Sequence, residues 1–546
     1  MEPARQAKQD NGYTVRQIDD RNTDNARVTR AAGVVGAATL LSRILGYVRD
    51  MVMASYFGAG LASDAFIAAF RIPNFLRRLF GEGSLSIAFV SVFTHCLNRQ
   101  GRQEAERLAC SALRLLTVIL AVVSVAGVLL APAVVHLVAY GFTDDPEKYA
   151  LCIRLTRVMM PYLFFVGLVA LCMGILNVLG YFAAPALAPT LLNVSMIGTV
   201  AVFSWLSPSQ TTRIAGLAVG VLIGGLLQLG LQIPFLIRKG IHFWRAAPLW
   251  HPALRKVLLL MGPAMFGAAV YQINSLVVCL LGSLLPQGSI SYLYYADRLV
   301  QFPLGMFAIA LATAVLPTLS RQAAEEQWDA LRGTFGHAIR LIFFITLPSM
   351  AGLIVLRVPI VALLFRHGAF DDQTTRLTAD ALLYYGVGLW AFSTVRILIY
   401  TFYALSDTRT PAVMATISIV ANVALGVALM KPMHHNGLAL ALSLASVLHL
   451  GLLSIALRKK MGAIGWRLIA GSVLRSGLCA VLMGLSVWQL SRWAMPQGDT
   501  GRNGVATGVI LCILAGVAVF TGLAYIFRAP ELGAVKELVF KRTRPR

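Results

Sequence analysis

Long apolar stretches separated by short polar ones run through almost the whole chain. A helix that crosses a bilayer needs about 20 mostly apolar residues. Fourteen segments meet that need: 31–57, 63–98, 106–139, 148–178, 185–206, 214–237, 257–285, 289–320, 334–365, 373–405, 411–430, 437–457, 468–491 and 504–527. The pattern predicts an all-α polytopic membrane protein with about 14 transmembrane helices. The second segment is long and is interrupted by Pro73 and by Gly81-Glu82-Gly83. Residues 1–30 are polar and lack a charged-then-apolar run ending in a small-residue cleavage site. They are expected to be a cytoplasmic N-terminal tail and not a signal peptide.

Orientation follows from where Lys and Arg fall in the loops. With the N-terminus inside, the inner segments include RQGRQEAER (99–107), the linker 238–256, RKKMGAIGWR (458–467) and the basic tail 528–546. Together with the N-terminal tail, the inner segments hold about 27 Lys and Arg, against about six in the outer loops. An even number of spans puts both termini in the cytoplasm.

The polar breaks repeat. The loop after the third span reads GFTDD (141–145), and the loop after the ninth reads GAFDD (368–372). The fourth span ends in LNVLGYFAAPA (176–186) and the tenth in FYALSDTRTPA (402–412), at the same offset to within a residue. That offset also carries the second span onto the eighth, and Arg71 onto Arg298. It equals six spans. Six is even, so the halves share one orientation and are related by a pseudo-two-fold along the membrane normal, a transporter-like design. The expected domains are an N-lobe at 31–237, a cytoplasmic linker at 238–256, a C-lobe at 257–457, and two added spans at 468–527.

Composition agrees with a membrane chain. Of 546 residues 58% are hydrophobic and 13% charged, with mean hydropathy +0.72, where a soluble protein carries about a quarter charged residues. The net charge of +23 would suggest nucleic acid in a soluble protein. Here it reads as the basic inner loops, and no nucleic acid is expected. The seven cysteines are scattered without a CxxC. They read as small hydrophobes and not as a disulfide framework or a metal site.

Charge inside the spans changes the picture. Spans 1, 2 and 8 carry Arg43, Arg49, Asp50, Asp64, Arg71, Arg77, Arg78, Glu82, Asp297 and Arg298, while spans 3, 5, 6, 11, 12 and 14 are nearly free of charge. An ionised group near the bilayer centre costs at least about 2.5–3.5 kcal/mol on insertion scales. Arg43 and Asp50 lie two turns apart on one helix face, with Gly46 between them leaving room, and Arg49 sits about 100° round. One reading is internal ion pairs, Arg43–Asp50 or Asp297–Arg298, that lock helices together. The other is an anion site, since the arginines outnumber the acids. Arg71, Arg77 and Arg78 can also snorkel at a boundary. A guanidinium stays charged and matches phosphate bidentately. The substrate is thus expected to carry a phosphate or pyrophosphate, bound by Arg43, Arg49 and Arg298, with Arg77 next. The breaks at Arg71-Ile72-Pro73-Asn74, Gly81-Glu82-Gly83 and Gln301-Phe302-Pro303 free backbone groups at membrane depth and are candidate hinges.

There is no GxxxxGK[ST] phosphate loop and no HExxH motif. His434-His435 falls in an outer loop and is expected to be solvated, not metal-bound. Asp144-Asp145 and Asp371-Asp372 read as turn or helix-cap residues and not as catalysts. The longest inner loop is about 19 residues, so there is no soluble domain to house an active site. A transporter is expected, not an enzyme, and no cofactor.

SRILGYVRD, then FGAGLASDAFIAAFRIPNFLRRLFGEGSLSIAFVSVF, then SYLYYADRLVQFPLGMFAIALATAVLP closely resemble the MurJ (MviN) family, the lipid II flippase branch of the MOP exporter superfamily. The resemblance covers nearly the whole chain from about residue 30. It implies a V-shaped pair of six-helix lobes plus two C-terminal helices, opening alternately to each side of a bacterial inner membrane. It implies translocation of lipid II, an undecaprenyl-pyrophosphate-linked glycopeptide, to the periplasmic leaflet for cell-wall biogenesis and cell shape. The family's cationic cavity matches Ser42-Arg43, Arg49-Asp50, Asp64, Arg77, Glu82 and Asp297-Arg298, with Ser42, Asp50, Asp64, Glu82 and Asp297 as supporting or gating groups. Its helices 13 and 14 form a groove for the polyprenyl tail. The 1–30 extension departs from the family.

The chain is expected to act as a monomer among membrane lipids, with cell-wall synthesis proteins as candidate partners. Coupling is expected to be to the membrane potential or a monovalent cation. Rival readings are a flippase for another polyprenyl-pyrophosphate glycan, a cation-coupled drug exporter, a membrane enzyme acting on polyprenyl phosphates, and a non-transporting scaffold. A drug exporter calls for net acidic cavity residues, and this chain shows the reverse.

Overall fold

The computed structural model describes residues 33–80, 85–242, 248–462, 465–495 and 502–533. The expected tail 1–30, the break holding Glu82, residues 243–247 of the linker and the basic end from 534 lie outside the described residues. Among the described residues every regular element is helical. α1 covers residues 33–57. It is followed by α2 (Leu61–Phe80), α3 (Ser86–Arg99), α4 (Arg102–Leu129), α5 (Ala131–Val138), α6 (Pro146–Met159), α7 (Tyr162–Val178), α8 (Ala183–Leu206), α9 (Gln210–Arg238) and α10 (Pro252–Ser283). Then come α11 (Ser289–Pro303), α12 (Ile309–Ala324), α13 (Trp328–Val355), α14 (Arg357–Phe365), α15 (Asp372–Val387), α16 (Leu389–Ala404), α17 (Arg409–Met461), α18 (Trp466–Ala494) and α19 (Arg502–Ile526).

The helices pack into two compact units that interleave along the chain. One takes the chain up to Val52, Ala69–Pro132 and Ile153–Ala268; the other takes Met53–Ala68, Ala133–Cys152 and everything from Ala269.

In the first unit α3, α4 and α7 share an apolar core that includes Phe89, Phe93, Leu108, Leu120, Leu171 and Ile175. α8 and α9 form a close hairpin because α9 carries Gly216, Gly220 and Gly224 at four-residue spacing, which keeps them on one face. A Cβ at these positions would come closer than 3.0 Å to Phe203, Thr199 and Leu192 of α8. Small residues let membrane helices approach where water gives no hydrophobic drive. The backbone then comes near enough for Ser195 Oγ to donate to the Gly220 carbonyl at 2.7 Å.

In the second unit α13, α18 and α19 share a core of Phe344, Cys479, Met483, Val487, Cys512 and Phe520. α17 is a hairpin of two helices. As a straight helix its 53 residues would run about 80 Å, far more than the roughly 30 Å of hydrocarbon. The backbone leaves the helical region at His434 (φ 51, ψ −135). Ser418 Oγ donates across to the Ala445 carbonyl at 2.8 Å, and Lys460 near its end pairs with Asp407 just before its start.

Among the described residues nine helices are long and apolar enough to cross a membrane, or ten if the pair α15 and α16, bent by 43°, is one span. α1 and α2 fall outside that number through their own charges: Arg43, Arg49 and Asp50 in one, Asp64, Arg71, Arg77 and Arg78 in the other. The chain is a multi-pass membrane protein, although apolarity alone does not reach the fourteen spans expected from the sequence.

Asp407 closes the α17 hairpin. Its Oδ1 accepts from the Thr410 amide at 3.0 Å, capping the first turn. Burial pushes its carboxyl up, but the hydrogen bonds from Lys460 and Thr410 outweigh it and hold the group at about 2, below its ordinary 3.8. A depressed carboxylate stabilises the fold above its unfolded value, and that stability is lost as pH falls through the folded value. Asp407→Asn is therefore expected to lower the unfolding temperature at neutral pH. The gap from the parent protein should close between about pH 4 and pH 2, as read by thermal unfolding in detergent.

Candidate functional site

In the first unit, consecutive residues of α1 form the charged centre. Asp50 is 2% exposed and Arg49 7%. The Arg49 guanidinium folds back on its neighbour, with Nε and Nη2 donating to Asp50 Oδ1 at 3.0 and 2.7 Å. Its Nη1 donates to Asn193 Oδ1 on α8 at 3.1 Å. The Asn193 amide turns its Nδ2 to the Ser42 carbonyl at 3.1 Å. It lies 3.7 Å from where a Cβ on Gly46 would stand, so the room that Gly46 leaves on α1 is filled by Asn193. Arg43 is exposed, with no hydrogen bond or ion pair among the described residues. The carboxylate that shares its face, Asp50, is held by Arg49. At the far end of α2, half-buried Arg77 donates from Nε to Asn74 Oδ1 at 2.9 Å, one turn back.

In the second unit Asp64 is 1% exposed and takes four donors. Lys148 Nζ and the Gly288 amide reach Oδ2, each at 2.8 Å. The Ser291 amide and hydroxyl reach Oδ1 at 3.0 and 2.6 Å. The cause lies in the start of α11. Its N-cap is Gly288 at φ 92, where a side chain would be strained and a Cβ would meet the Tyr292 hydroxyl at 2.6 Å. Glycine brings no capping oxygen, so the first amides of α11 take theirs from Asp64 on α2. A carboxylate at a helix N-terminus also meets the positive end of the helix dipole. Lys148 is set by the first turn of α6, where its amide donates to Asp145 Oδ1 at 3.1 Å. Its ammonium stands 4.2 Å from the Phe142 ring centroid.

Farther along α11, Arg298 Nη2 donates to Tyr294 Oη at 3.0 Å, one turn back. Its guanidinium lies 5.0 Å from the Tyr294 ring centroid, a cation–π contact. Asp297 accepts a long bond from Gln301 Nε2 at 3.4 Å.

The structure thus brings Arg49 and Asp50 together, places Ser42 beside them through Asn193, and gives Asp64 partners that the sequence reading did not name. Glu82 lies outside the described residues. Missed were Asn193, Lys148, Ser291 and Tyr294. Lys148 opens the fourth span and reads in sequence as a boundary residue; Asn193 is a lone amide in an otherwise apolar span. Both loop acid pairs supply caps: Asp145 for α6 and Asp371, which accepts from the Thr374 amide at 2.8 Å, for α15. Among the described residues no three His, Cys, Asp or Glu are gathered as a metal ion would need.

Comparison with known proteins gives this geometry a family. The family model described as "Lipid II flippase MurJ" matches residues 53–503. The probable lipid II flippase MurJ of Vibrio cholerae is 37% identical over 518 residues, covering 91% of this chain and 97% of that protein. The lipid II flippase MurJ of Burkholderia cenocepacia is 36% identical over 468 residues, covering 84% and 89%. Among solved structures, lipid II flippase MurJ in an inward closed conformation matches with TM-score 0.76 at 27% identity, over 90% of this chain and 98% of that one. An inward-facing multidrug resistance MATE transporter of the MOP superfamily matches with TM-score 0.66 at 16% identity, which shows a shared fold alone. With a family match across most of its length, and more than a third of the aligned residues identical to relatives that it covers along nearly all of theirs, the chain belongs to the MurJ lipid II flippase family.

Proposed function

We propose that this protein is a flippase that moves lipid II, the undecaprenyl-pyrophosphate-linked peptidoglycan precursor, from the cytoplasmic to the periplasmic leaflet of a bacterial inner membrane by alternating access. The observation that carries the arginine part of this reading is the state of Arg43. It is exposed, and the acid on its own helix face is committed to Arg49. An internal Arg43–Asp50 lock would have removed that cation from use. Arg43, Arg49, Arg298 and Arg77 then engage the diphosphate, which competes with Asp50 for the Arg49 fork. Asp50 and Asp297 temper the arginines enough to allow release. Glu82 acts at the break of the second span. The excess of Lys and Arg in one set of loops supports cytoplasmic termini, and the spans at 468–527 would hold the polyprenyl tail. Lipid II reaches the protein from the surrounding lipid, and the protein acts as a monomer coupled to the membrane potential or to a monovalent cation.

In this reading Asp64 is a gate. Lys148, Asp64 and the start of α11 sit at the outer ends of their helices, and their mutual bonds hold that end closed.

Two outcomes are expected. In cells whose sole copy carries Arg298→Ala or Arg298→Lys at verified expression, lipid II translocation should fall about tenfold or more, the equivalent of ~1.4 kcal/mol. A point charge at residue 298 cannot replace the bidentate fork, so normal flipping by both variants would sink the cavity-arginine mechanism. For the gate, Lys148→Met strands a buried carboxylate, a class of change that costs about 3–5 kcal/mol. Lys148→Met with Asp64→Asn should lose less stability than the two single changes added together, measured by thermal unfolding of the purified variants. Simple additivity would show that the pair does not act as a unit.

A further inference from the structure

The repeated outer loops GFTDD and GAFDD are not used by the arginine mechanism. Their glycines, Gly141 and Gly368, open the two loops and hold equivalent places in the repeat, and both belong to the second unit. Gly141 lies against the C-terminal end of α10. A Cβ there would come closer than 3.0 Å to the Ser283 carbonyl and to the Leu284 nitrogen, and the Gly141 amide donates to Ser283 Oγ at 3.0 Å. Gly368 lies in the same way against the end of α1. A Cβ there would come closer than 3.0 Å to the Ser55 carbonyl oxygen, and the next amide, Ala369, donates to that oxygen at 2.8 Å.

The two seats are themselves repeat mates. Ser55 and Ser283 are separated by the repeat offset to within a residue, at the ends of helices that the repeat equates. The glycine of the first repeat therefore docks on a helix end of the second, and the glycine of the second on the matching helix end of the first. A contact that answers itself across a two-fold in this way is isologous. Gly141 is needed for space alone, since its φ is not left-handed; Gly368, at φ 57, is needed for space and for conformation.

We propose that Gly141 and Gly368 form a two-fold-related backbone clasp that holds the outer ends of the two repeats together, and that parting of both seats at once opens the outer side. The proposal rests on the alternating-access reading. Backbone lying on a carbonyl leaves no room for a side chain. The clasp is thus closed or broken, with no loosely packed state between.

The test uses the full chain in lipid nanodiscs, spin-labelled at Asp144→Cys and Gln287→Cys; the seven native cysteines are buried. Gly141→Ala and Gly368→Ala should each raise the longer-distance population several-fold. Ser283→Ala removes the hydrogen bond without adding an atom and should shift it the same way, less far; it serves if Gly141→Ala does not fold. Gly198→Ala and Gly101→Ala should leave the distances alone. Both have open space around them, and Gly101 shares the positive φ. Unchanged distances in Gly141→Ala and Ser283→Ala, or an equal shift in Gly198→Ala, overturn the clasp. Lipid II movement into vesicles by the parent protein is read separately. If the clasp variants open and the parent moves no lipid, the flippase reading falls and the clasp stands.

Discussion

A carboxylate sealed from water has to be met by hydrogen-bond donors, and Asp64 shows what this demands of a fold. Its four hydrogen bonds come from Lys148 on α6 and from Gly288 and Ser291 at the head of α11. In apolar surroundings each unmet amide costs several kcal/mol. Gly288 has no side chain with which to cap its own helix, so the carboxylate and the helix start satisfy each other. This explains why the second unit gathers Met53–Ala68 and Ala133–Cys152 with the later chain. Those two stretches carry Asp64, Lys148, the Ser55 carbonyl and Gly141, and each of these groups finds its partner there.

The first unit solves the same problem with a different balance. Asp50 is neutralised by the residue before it, and Asn193 takes up the remaining face of that guanidinium. A neutral amide plays a matching part in the second repeat, where Asn422 Nδ2 donates to Asn274 Oδ1 at 2.8 Å between α17 and α10. Each repeat thus pins its first helix to its fifth through an amide. In the first repeat the amide also fixes an arginine, which concentrates cationic chemistry on α1.

The all-helical, multi-pass class of the chain and the charges on its first two helices were legible because they depend on composition and period, which are local. The partners were not. Helix geometry correctly put Arg43 and Asp50 on one face, yet a long guanidinium can fold back on the adjacent residue, and Arg49 does so. Lys148 sat at the edge of a span, where a lysine ordinarily snorkels; its inward turn depends on Phe142 and on an aspartate far earlier in the chain. Asn193 gave no charge signal at all. Gly46 was the visible half of that contact: a gap on α1 whose occupant sequence spacing could not name. The loop aspartates were readable as caps because an N-cap bond reaches only into the first turn of its own helix.

The neutrality of the Asp64–Lys148 pair bears on what could drive the proposed cycle. An ion pair that moves as one carries no net charge through the field, so a membrane potential does little work on the gate itself. The substrate differs. A diphosphate leaving a negative interior gains about 2.3 kcal/mol per net charge for each 100 mV crossed. Arginines that neutralise it fully would cancel that gain, whereas arginines tempered by Asp50 and Asp297 would leave part of it. In the proposed cycle the acids beside the arginines would do two things with one charge each: loosen the grip on the anion, and keep the loaded site negative enough for the field to favour outward transfer.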